Sequence, residues 1–396
     1  MDVLEMTREL VAIDSQNPGP QEPAIADVVT AWCQDAGFSV QRLEPHPGRP
    51  NLLVTIDAGG AGRHLALSGH LDTKPVGDAL AEWRTDPLTL TVDGDLAFGL
   101  GSTDMKGAVA AMIAAARSFA STATAGTLSL LLTADEEQGS NAGAKALLEL
   151  GLPPFDAIVI GEPSGIEQPW EALFLVSRGI ACFHVTVTTH QGHSGLSDRL
   201  GPNAVQLAGR LLDALDDFSP AVRDPGPIAA APTVNPGIKV QGGVGFGTWP
   251  GEAVLSSEVR LVPGMRPADL DAELRALITR VLDGQAGWDL TYEAGSQAWM
   301  PPAGLDPRHP VVASAQAACR EALGAELPLR AYPGSTDAAY LMGQGGLPTI
   351  TSLGPGWLSV AHGANECVGV RQLSQAARLY ATLALQFTGE GDPDGR

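Results

Sequence analysis

The sequence predicts an α/β fold, a mostly parallel sheet flanked by helices and interrupted once by an inserted α+β unit. Three observations carry this expectation. Short apolar strands alternate with amphipathic helices from the start of the chain to about residue 177, the pattern of a layered fold with a largely parallel sheet. Near Arg178 the order becomes strand-helix-strand-strand-helix-strand, which predicts a ferredoxin-like insert of roughly 115 residues. After Pro301-Pro302, helices return around one more buried strand. The expected organisation is a first segment over 1–177, an insert over 178–294 and a second segment over 295–396 that completes the first.

Taken in order, residues 3–13 read as a helix with Leu4, Leu10 and Val11 on one face, broken by Asn17-Pro18-Gly19-Pro20. A second helix runs over 22–36 through Ile25, Val28, Val29 and Trp32, and Gly37 is its expected stop. Strands over 38–43 and 51–56 flank a proline-rich turn. The run Leu65-Ala66-Leu67 ends in Ser68-Gly69 and delivers His70 and Asp72. Strand side chains repeat every two residues, so these two point the same way. Asp93-Gly94 marks a hairpin within 83–100. The glycine-rich loop 99–104 leads into an alanine-rich helix over 106–119. Its glycine spacing, and the lack of a directly preceding strand, exclude a dinucleotide fingerprint. Strand 127–133 ends at Asp135-Glu136-Glu137, helix 142–150 follows, and strand 155–160 ends at Gly161-Glu162-Pro163.

In the insert, 182–188 alternates with Phe183, Val185 and Val187 on one side. A loop with His190 and His193 precedes a helix over 203–216 that aligns Leu207, Leu211, Leu212 and Leu215. Strands over 232–241 and 253–261, an amphipathic helix over 270–282 and a strand over 288–293 complete it. Then come a helix over 310–323 stopped by Gly324, a short helix over 335–342 and a buried strand over 348–353 whose loop carries His362. The closing helix covers 371–387, and the Gly/Asp-rich tail after Thr388 is expected to be disordered.

Composition narrows the partners. A chain of 396 residues with 44% apolar content can bury a sizeable core as a soluble globular protein. A net charge of −21 repels phosphate backbones, so nucleic acid is not an expected partner. No run of about 18 apolar residues occurs, and no membrane span is expected. Met1-Asp2-Val3-Leu4-Glu5 lacks the basic and apolar regions of a secretory signal. Cys33, Cys182, Cys319 and Cys367 are scattered, which suggests reduced thiols and a cytoplasmic location.

His70, Asp104, Glu137, Glu162 and His362 are all of metal-ligand type, and the predicted strand ends gather most of them at one sheet edge. Imidazole mixed with carboxylate suits zinc, with cobalt or manganese as substitutes. Five ligands exceed what one zinc takes but suit two ions sharing a bridging carboxylate, which together activate a water and polarise a carbonyl. A spare carboxylate must accept the water's proton, and adjacent Glu136-Glu137 supplies one base and one ligand. Neither H-E-x-x-H nor G-x-S-x-G is present, so neither a zincin nor an α/β-hydrolase is indicated.

Several strings extend this reading: S-G-H-L-D-T at 68–73, G-L-G-S-T-D-M-K-G at 99–107, T-A-D-E-E-Q-G-S at 133–140, G-E-P at 161–163, S-R-G-I at 177–180, G-H-S at 192–194, G-P-N-A at 201–204 and A-H-G-A-N-E at 361–366. In order and over nearly the whole chain they resemble the di-zinc amidohydrolase and peptidase family of acetylornithine deacetylase, succinyl-diaminopimelate desuccinylase, aminoacylase and glutamate carboxypeptidase. The resemblance implies a zinc-exopeptidase-like catalytic domain over 1–177 and 295–396, with the insert as a lid that forms a homodimer. It implies that His70 and Glu162 hold one zinc, Glu137 and His362 the other, and that Asp104 bridges them, with cobalt possible in place of zinc. It further implies that Asp72 orients His70, that Glu136 is the general base and that a cis peptide follows Asp104. His193 resembles the histidine that stabilises the oxyanion in the partner subunit's site; a plain loop histidine is the alternative. Asn235 and Arg260 resemble residues that hold the substrate's free carboxylate, a role suited to the forked guanidinium; a strand arginine pairing with Glu258 or Glu252 is the alternative. Leu100 and Lys74 depart from the family's usual residues near the site mouth and bear on substrate preference.

The implied reaction is hydrolysis of the amide bond of an N-acyl amino acid, with a bridging water activated by two zinc ions and a glutamate base. Glu162 in the G-E-P string resembles deacylases. Gly334-Ser335-Thr336-Asp337-Ala338-Ala339-Tyr340 resembles the carboxypeptidase branch, so a glutamate-carboxypeptidase-like or dipeptidase activity on short peptides is the alternative. An inert family member acting as a binding protein would have lost a ligand or the base, and none is lost here.

Overall fold

In the computed structural model, residues 1–295 and 298–389 are described. The tail expected to be disordered lies, beyond Gly389, outside the described residues. The chain divides into two units, residues 1–177 with 303–396, and residues 178–302.

The first unit opens with helix α1 (Val3–Val11), whose Asp2 carboxylate accepts the Glu5 N–H at 2.8 Å and so satisfies one of the free donors of the first turn. Helix α2 (Pro23–Asp35) starts on a proline, which sacrifices no helical hydrogen bond there. Strands β1 (Ser39–Leu43), β2 (Asn51–Asp57), β3 (His64–His70), β4 (Thr127–Thr133) and β5 (Ala157–Ile160) follow. With β10 (Thr349–Ile350), beyond the insert, they form a six-stranded sheet in the order β1-β2-β4-β3-β5-β10. The four strands β4, β3, β5 and β10 are mutually parallel. The pairs β1–β2 and β2–β4 are antiparallel, so the sheet is mixed where a mostly parallel one was expected. For β1–β2 the reason is local: the short turn between residues 43 and 51 returns the chain as an antiparallel neighbour.

Parallel strands covered on both faces read as continuous apolar runs. Leu65, Ala66 and Leu67 of β3 and Leu130, Leu131 and Leu132 of β4 are fully buried. Helix α3 (Gly107–Thr122) and the closing helix (Val370–Gly389) pack on each other and on β3. Asp93-Gly94 does sit in a hairpin, between strands 91–93 and 96–98, and residues 367–369 add a third strand to it. The wholly buried strand Leu173–Ser177, which pairs with residues 303–304 and 329–331, was not anticipated. The expected strand 348–353 contracts to the two residues of β10.

The second unit has strands β6 (Gly179–Thr188), β7 (Thr233–Gly242), β8 (Glu252–Leu261) and β9 (Gly287–Tyr292), with helices α5 (Ala204–Asp216) and α6 (Pro267–Leu282); α4 is Ala144–Leu150 of the first unit. The order β7-β8-β6-β9, antiparallel throughout, is the ferredoxin-like arrangement. Strict alternation along β6 buries Phe183, Val185 and Val187 against Leu207, Leu211 and Leu215 of α5 and Leu274 and Ile278 of α6. The other face of the same strand presents Cys182, His184 and Thr186. Among the described residues, no helix is long and apolar enough to cross a membrane.

Candidate metal centre

Because β3, β4 and β5 run parallel, their carboxyl ends share one edge, and the chain leaves each of them with a polar side chain. His70 is the last residue of β3, Glu136 and Glu137 follow β4, and Glu162 follows β5. Asp104 lies in the tight turn 102–106 ahead of α3, and its peptide to Met105 is cis, as expected. His362 lies in a late loop with a left-handed backbone, φ 61°.

These elements bring five groups together in two overlapping sets, His70–Asp104–Glu162 and Asp104–Glu137–His362, each with its donor atoms within 4.8 Å. His70 Nε2 is 2.9 Å from Asp104 Oδ1 and 3.6 Å from Glu162 Oε1. His362 Nε2 is 3.1 Å from Asp104 Oδ2 and 3.2 Å from Glu137 Oε2. One oxygen of Asp104 thus serves each set. His70, Asp104, Glu137 and Glu162 are buried, while nearly half of the His362 side chain reaches solvent.

The electrostatics call for cations. Burial and the neighbouring Asp104 charge lift Glu162 to about 7, although His70 opposes this. Burial, then the charge of Glu162, pushes Glu136 well above the carboxylate range. Burial would lift Asp104 too, but hydrogen bonds from His362 and His70 hold it below the usual range. Against burial, Asp104 and Glu162 raise His70 well above its ordinary value, and Asp104 and Glu137 raise His362 to about 11. Imidazoles that bind a proton this tightly stand where a divalent ion would supply the charge instead. Two imidazoles and three carboxylates on two overlapping sets fit a pair of such ions.

The remaining predicted residues have distinct surroundings. Asp72 is fully buried behind His70, but its carboxylate is not the group that holds the ring. His70 Nδ1 is 2.9 Å from the Asp72 backbone carbonyl and 3.7 Å from Asp72 Oδ1. The carboxylate turns instead to the N–H groups of Glu136 (3.3 Å) and Glu137 (3.2 Å) and to the Asn17 amide (2.9 Å). It therefore fixes the loop that carries the expected base. Burial, opposed by the His70 charge, raises Asp72 to about 7. Lys74 grips Glu137 with its backbone N–H at 3.0 Å, its ammonium 3.3 Å from Oε2 and a further bond to the Glu137 carbonyl. With Leu100, Trp83 and His362 it borders one small pocket.

His193, Asn235 and Arg260 belong to the second unit. His193 is exposed, and its Nδ1 accepts the Gly195 N–H at 3.1 Å. Asn235 Nδ2 and Arg260 Nε both engage Glu258 Oε1, at 2.7 and 3.2 Å, which is the local pairing set beside the substrate role.

Sequence reasoning passed over a second ring of polar residues. Arg49 makes paired 2.6 Å bonds to Glu22 and reaches Asp135 at 3.1 Å. Asp337 accepts the hydroxyls of Thr133 (2.7 Å) and Ser140 (2.5 Å), on either side of Glu136 and Glu137. Glu366 accepts backbone N–H groups around Asp104. Asp337 and Glu366 lie within strings already singled out, which was the available signal; Glu22 and Arg49 carry none.

Residues 66–386 match the model of peptidase family M20/M25/M40. The chain belongs to this family. It is thus an M20-family hydrolase, and its relatives are named as enzymes. Succinyl-diaminopimelate desuccinylase from Parvibaculum lavamentivorans is 28% identical over 96% of this chain and 94% of its own. Acetylornithine deacetylase from Vibrio atlanticus is 29% identical over 95% of this chain and 98% of its own. The match with succinyl-diaminopimelate desuccinylase 2 of Ruegeria sp., 32% identical, spans 59% of this chain and only 58% of that one. In fold, the M20 chain resembles the aminopeptidase PepT of Bacillus cereus, with a TM-score of 0.78 at 19% identity and coverage of 97% and 98%. It also resembles Bacillus subtilis YXEP, described as a dinuclear metal binding peptidase, with a TM-score of 0.70 at 16% identity and 97% coverage of both chains.

Proposed function

We propose that this M20 enzyme hydrolyses the amide bond of an N-acyl amino acid, as acetylornithine deacetylase and succinyl-diaminopimelate desuccinylase do by name. The observation that carries the reading is the pair of three-donor sets sharing Asp104, with Glu136 preceding the donor Glu137 in the chain. His70 and Glu162 would hold one divalent ion, Glu137 and His362 the other, and Asp104 would bridge both. Two zinc ions, with cobalt as a substitute, would polarise the scissile carbonyl and acidify a water. Glu136, next to the ligand Glu137 on the loop that follows β4, is the residue to take that water's proton and pass it to the leaving amine. Asp72 holds the Glu136 loop in place through its backbone N–H groups.

The second unit is read as a lid that pairs with a second copy. Its sheet ends on β7, an edge strand followed by a loop, and Ile238, Val244 and Phe246 there are 62%, 73% and 109% exposed. Unpaired edges with apolar side chains favour strand addition by another chain. In such a homodimer His193 would complete the oxyanion site of the partner, and Asn235 with Arg260 would hold the substrate's carboxylate. Four free cysteines support a cytoplasmic location.

Peptide hydrolysis is the second reading, favoured by the 334–340 string whose Asp337 buttresses the Glu136 loop. The test is turnover of N-acetyl and N-succinyl amino acids against dipeptides, with zinc and with cobalt, before and after chelation. Cleavage of dipeptides alone would transfer the assignment to a dipeptidase. Activity that survives complete metal removal would refute the metal centre.

A further inference from the structure

Glu366 closes the A-H-G-A-N-E string, is 2% exposed and has no place in the chemistry above. We propose that Glu366 is a positioning residue of the metal centre, tying the loop that carries Asp104 to the loop that carries His362.

The bonds run from residue to residue. Glu366 Oε1 accepts the N–H of Thr103 at 2.9 Å and of Asp104 at 3.0 Å, and Oε2 accepts the N–H of Gly101 at 2.9 Å. Its backbone carbonyl accepts the N–H of Gly99 at 2.9 Å. The next carbonyl, of Cys367, accepts the Thr103 hydroxyl at 2.5 Å. Successive backbone N–H groups of this kind form a nest for an anion, and here the anion is a side chain of the same protein. Bonds to a carboxylate are roughly twice as strong as neutral ones.

Its consequence falls on Asp104. With its N–H held by Glu366, Asp104 sends one oxygen to His70 at 2.9 Å and the other to His362 at 3.1 Å. His362 is four residues before Glu366 in the same loop. Asn365, between them, anchors the outer side separately, donating to the Glu82 carbonyl at 3.0 Å and accepting from the Arg84 N–H at 2.8 Å. Glu366 therefore sets the spacing between the shared carboxylate and the late histidine. Residues that orient metal ligands in this way control affinity and rate without touching the ion.

The inference rests on the metal reading given under the proposed function, and its test separates the two. Metal-stripped wild type, Glu366→Gln and Glu366→Ala are titrated with zinc by calorimetry, melted without metal, and assayed for kcat and KM at saturating zinc. Glutamine keeps the volume and one acceptor oxygen but sets an N–H donor against the Gly101 N–H. Glu366→Gln is expected to stay folded, to bind zinc about 10–100-fold more weakly and to lose kcat while KM holds; Glu366→Ala should lose more. Zinc affinity equal to wild type, with only a lower melting temperature, would make Glu366 a plain structural tie and overturn the proposal. If the alanine variant fails to fold, the glutamine variant decides. A wild-type chain that takes up no zinc would overturn the metal reading itself and this inference with it.

Discussion

Replacing Arg49 by alanine is expected to destabilise the first unit by about 3–5 kcal/mol, far more than a surface arginine would. Arg49 makes paired 2.6 Å bonds to Glu22, whose side chain is fully buried, while that of Arg49 is 15% exposed. Removal leaves the Glu22 carboxylate in the interior with the Asp135 N–H, at 3.1 Å, as a remaining donor. That stranded charge, rather than the lost bond, sets the magnitude. For a unit of about 270 residues the loss corresponds to a melting shift of about 5–9 °C. Urea unfolding with an unchanged m-value measures it directly. Glu22→Leu with Arg49→Met removes both charges and should cost less than the two single changes together, because no charge is left unpaired. A loss below about 1 kcal/mol, the level of an exposed ion pair, would refute the reasoning; so would strict additivity in the cycle. Catalysis should fall as well. Asp135 holds a left-handed φ of 64° immediately before Glu136, and its carboxylate also takes the Asn17 amide and the Ala142 N–H, each at 3.0 Å.

Glu136→Gln should retain both metal ions yet lower kcat by about 10²–10⁴-fold; metal content by elemental analysis checks this, and loss of an ion would exchange the roles of Glu136 and Glu137. His362, raised to about 11 by Asp104 and Glu137 against burial, is protonated at neutral pH in the metal-free chain. Its stabilising charge is present below the ordinary value of 6.5 and is lost as pH rises through about 11, whereas ion binding must expel the proton and so strengthens with pH across that window. Zinc calorimetry in two buffers of different ionisation heat should reveal the released proton as a difference between the observed heats, and identical observed heats in the two buffers would exclude it. Phe246→Asp should convert a dimer to a monomer in sedimentation, with little change in melting temperature at low concentration; a monomeric wild type would refute the lid pairing.

Where a single strand or a local string carries the information, the sequence was enough. The apolar run of β3 ending at His70, and that of β5 ending before Glu162, place both groups because a buried parallel strand must end where its polar residues begin. The insert was legible for the same reason: the period of two along β6 and the leucine spacing of α5 define opposite halves of one core. The antiparallel pairing of β2 with β4 was not, since strand runs distant in the chain state neither their direction nor their neighbours. The strand Leu173–Ser177 escaped because a short unbroken apolar run has no period to read. Asp72 shows the limit just past a correctly read element, since β3 ends at His70. Period two placed it beside His70, yet the direction of its carboxylate is set by the Glu136 and Glu137 N–H groups, which arrive from another strand.

The same limit explains why the supporting acids were missed as a class. Glu22, Asp337 and Glu366 each stand singly in a helix-start, turn or loop setting, and each has partners more than 100 residues away, at Asp135, at Thr133 and Ser140, and at Gly101 to Asp104. Long-range polar pairs leave no periodic trace, so only the folded chain displays them. Their placement nevertheless has a common cause. Five ligand-type groups crowded at one sheet edge include three carboxylates that repel one another, and the loops bearing them would spread if nothing else held their backbones. Asp72, Asp337 and Glu366 hold these loops by backbone N–H groups or hydroxyls from behind. Loss of any one of them should therefore show first as weaker ion binding and slower turnover, with the sheet that presents the site still intact.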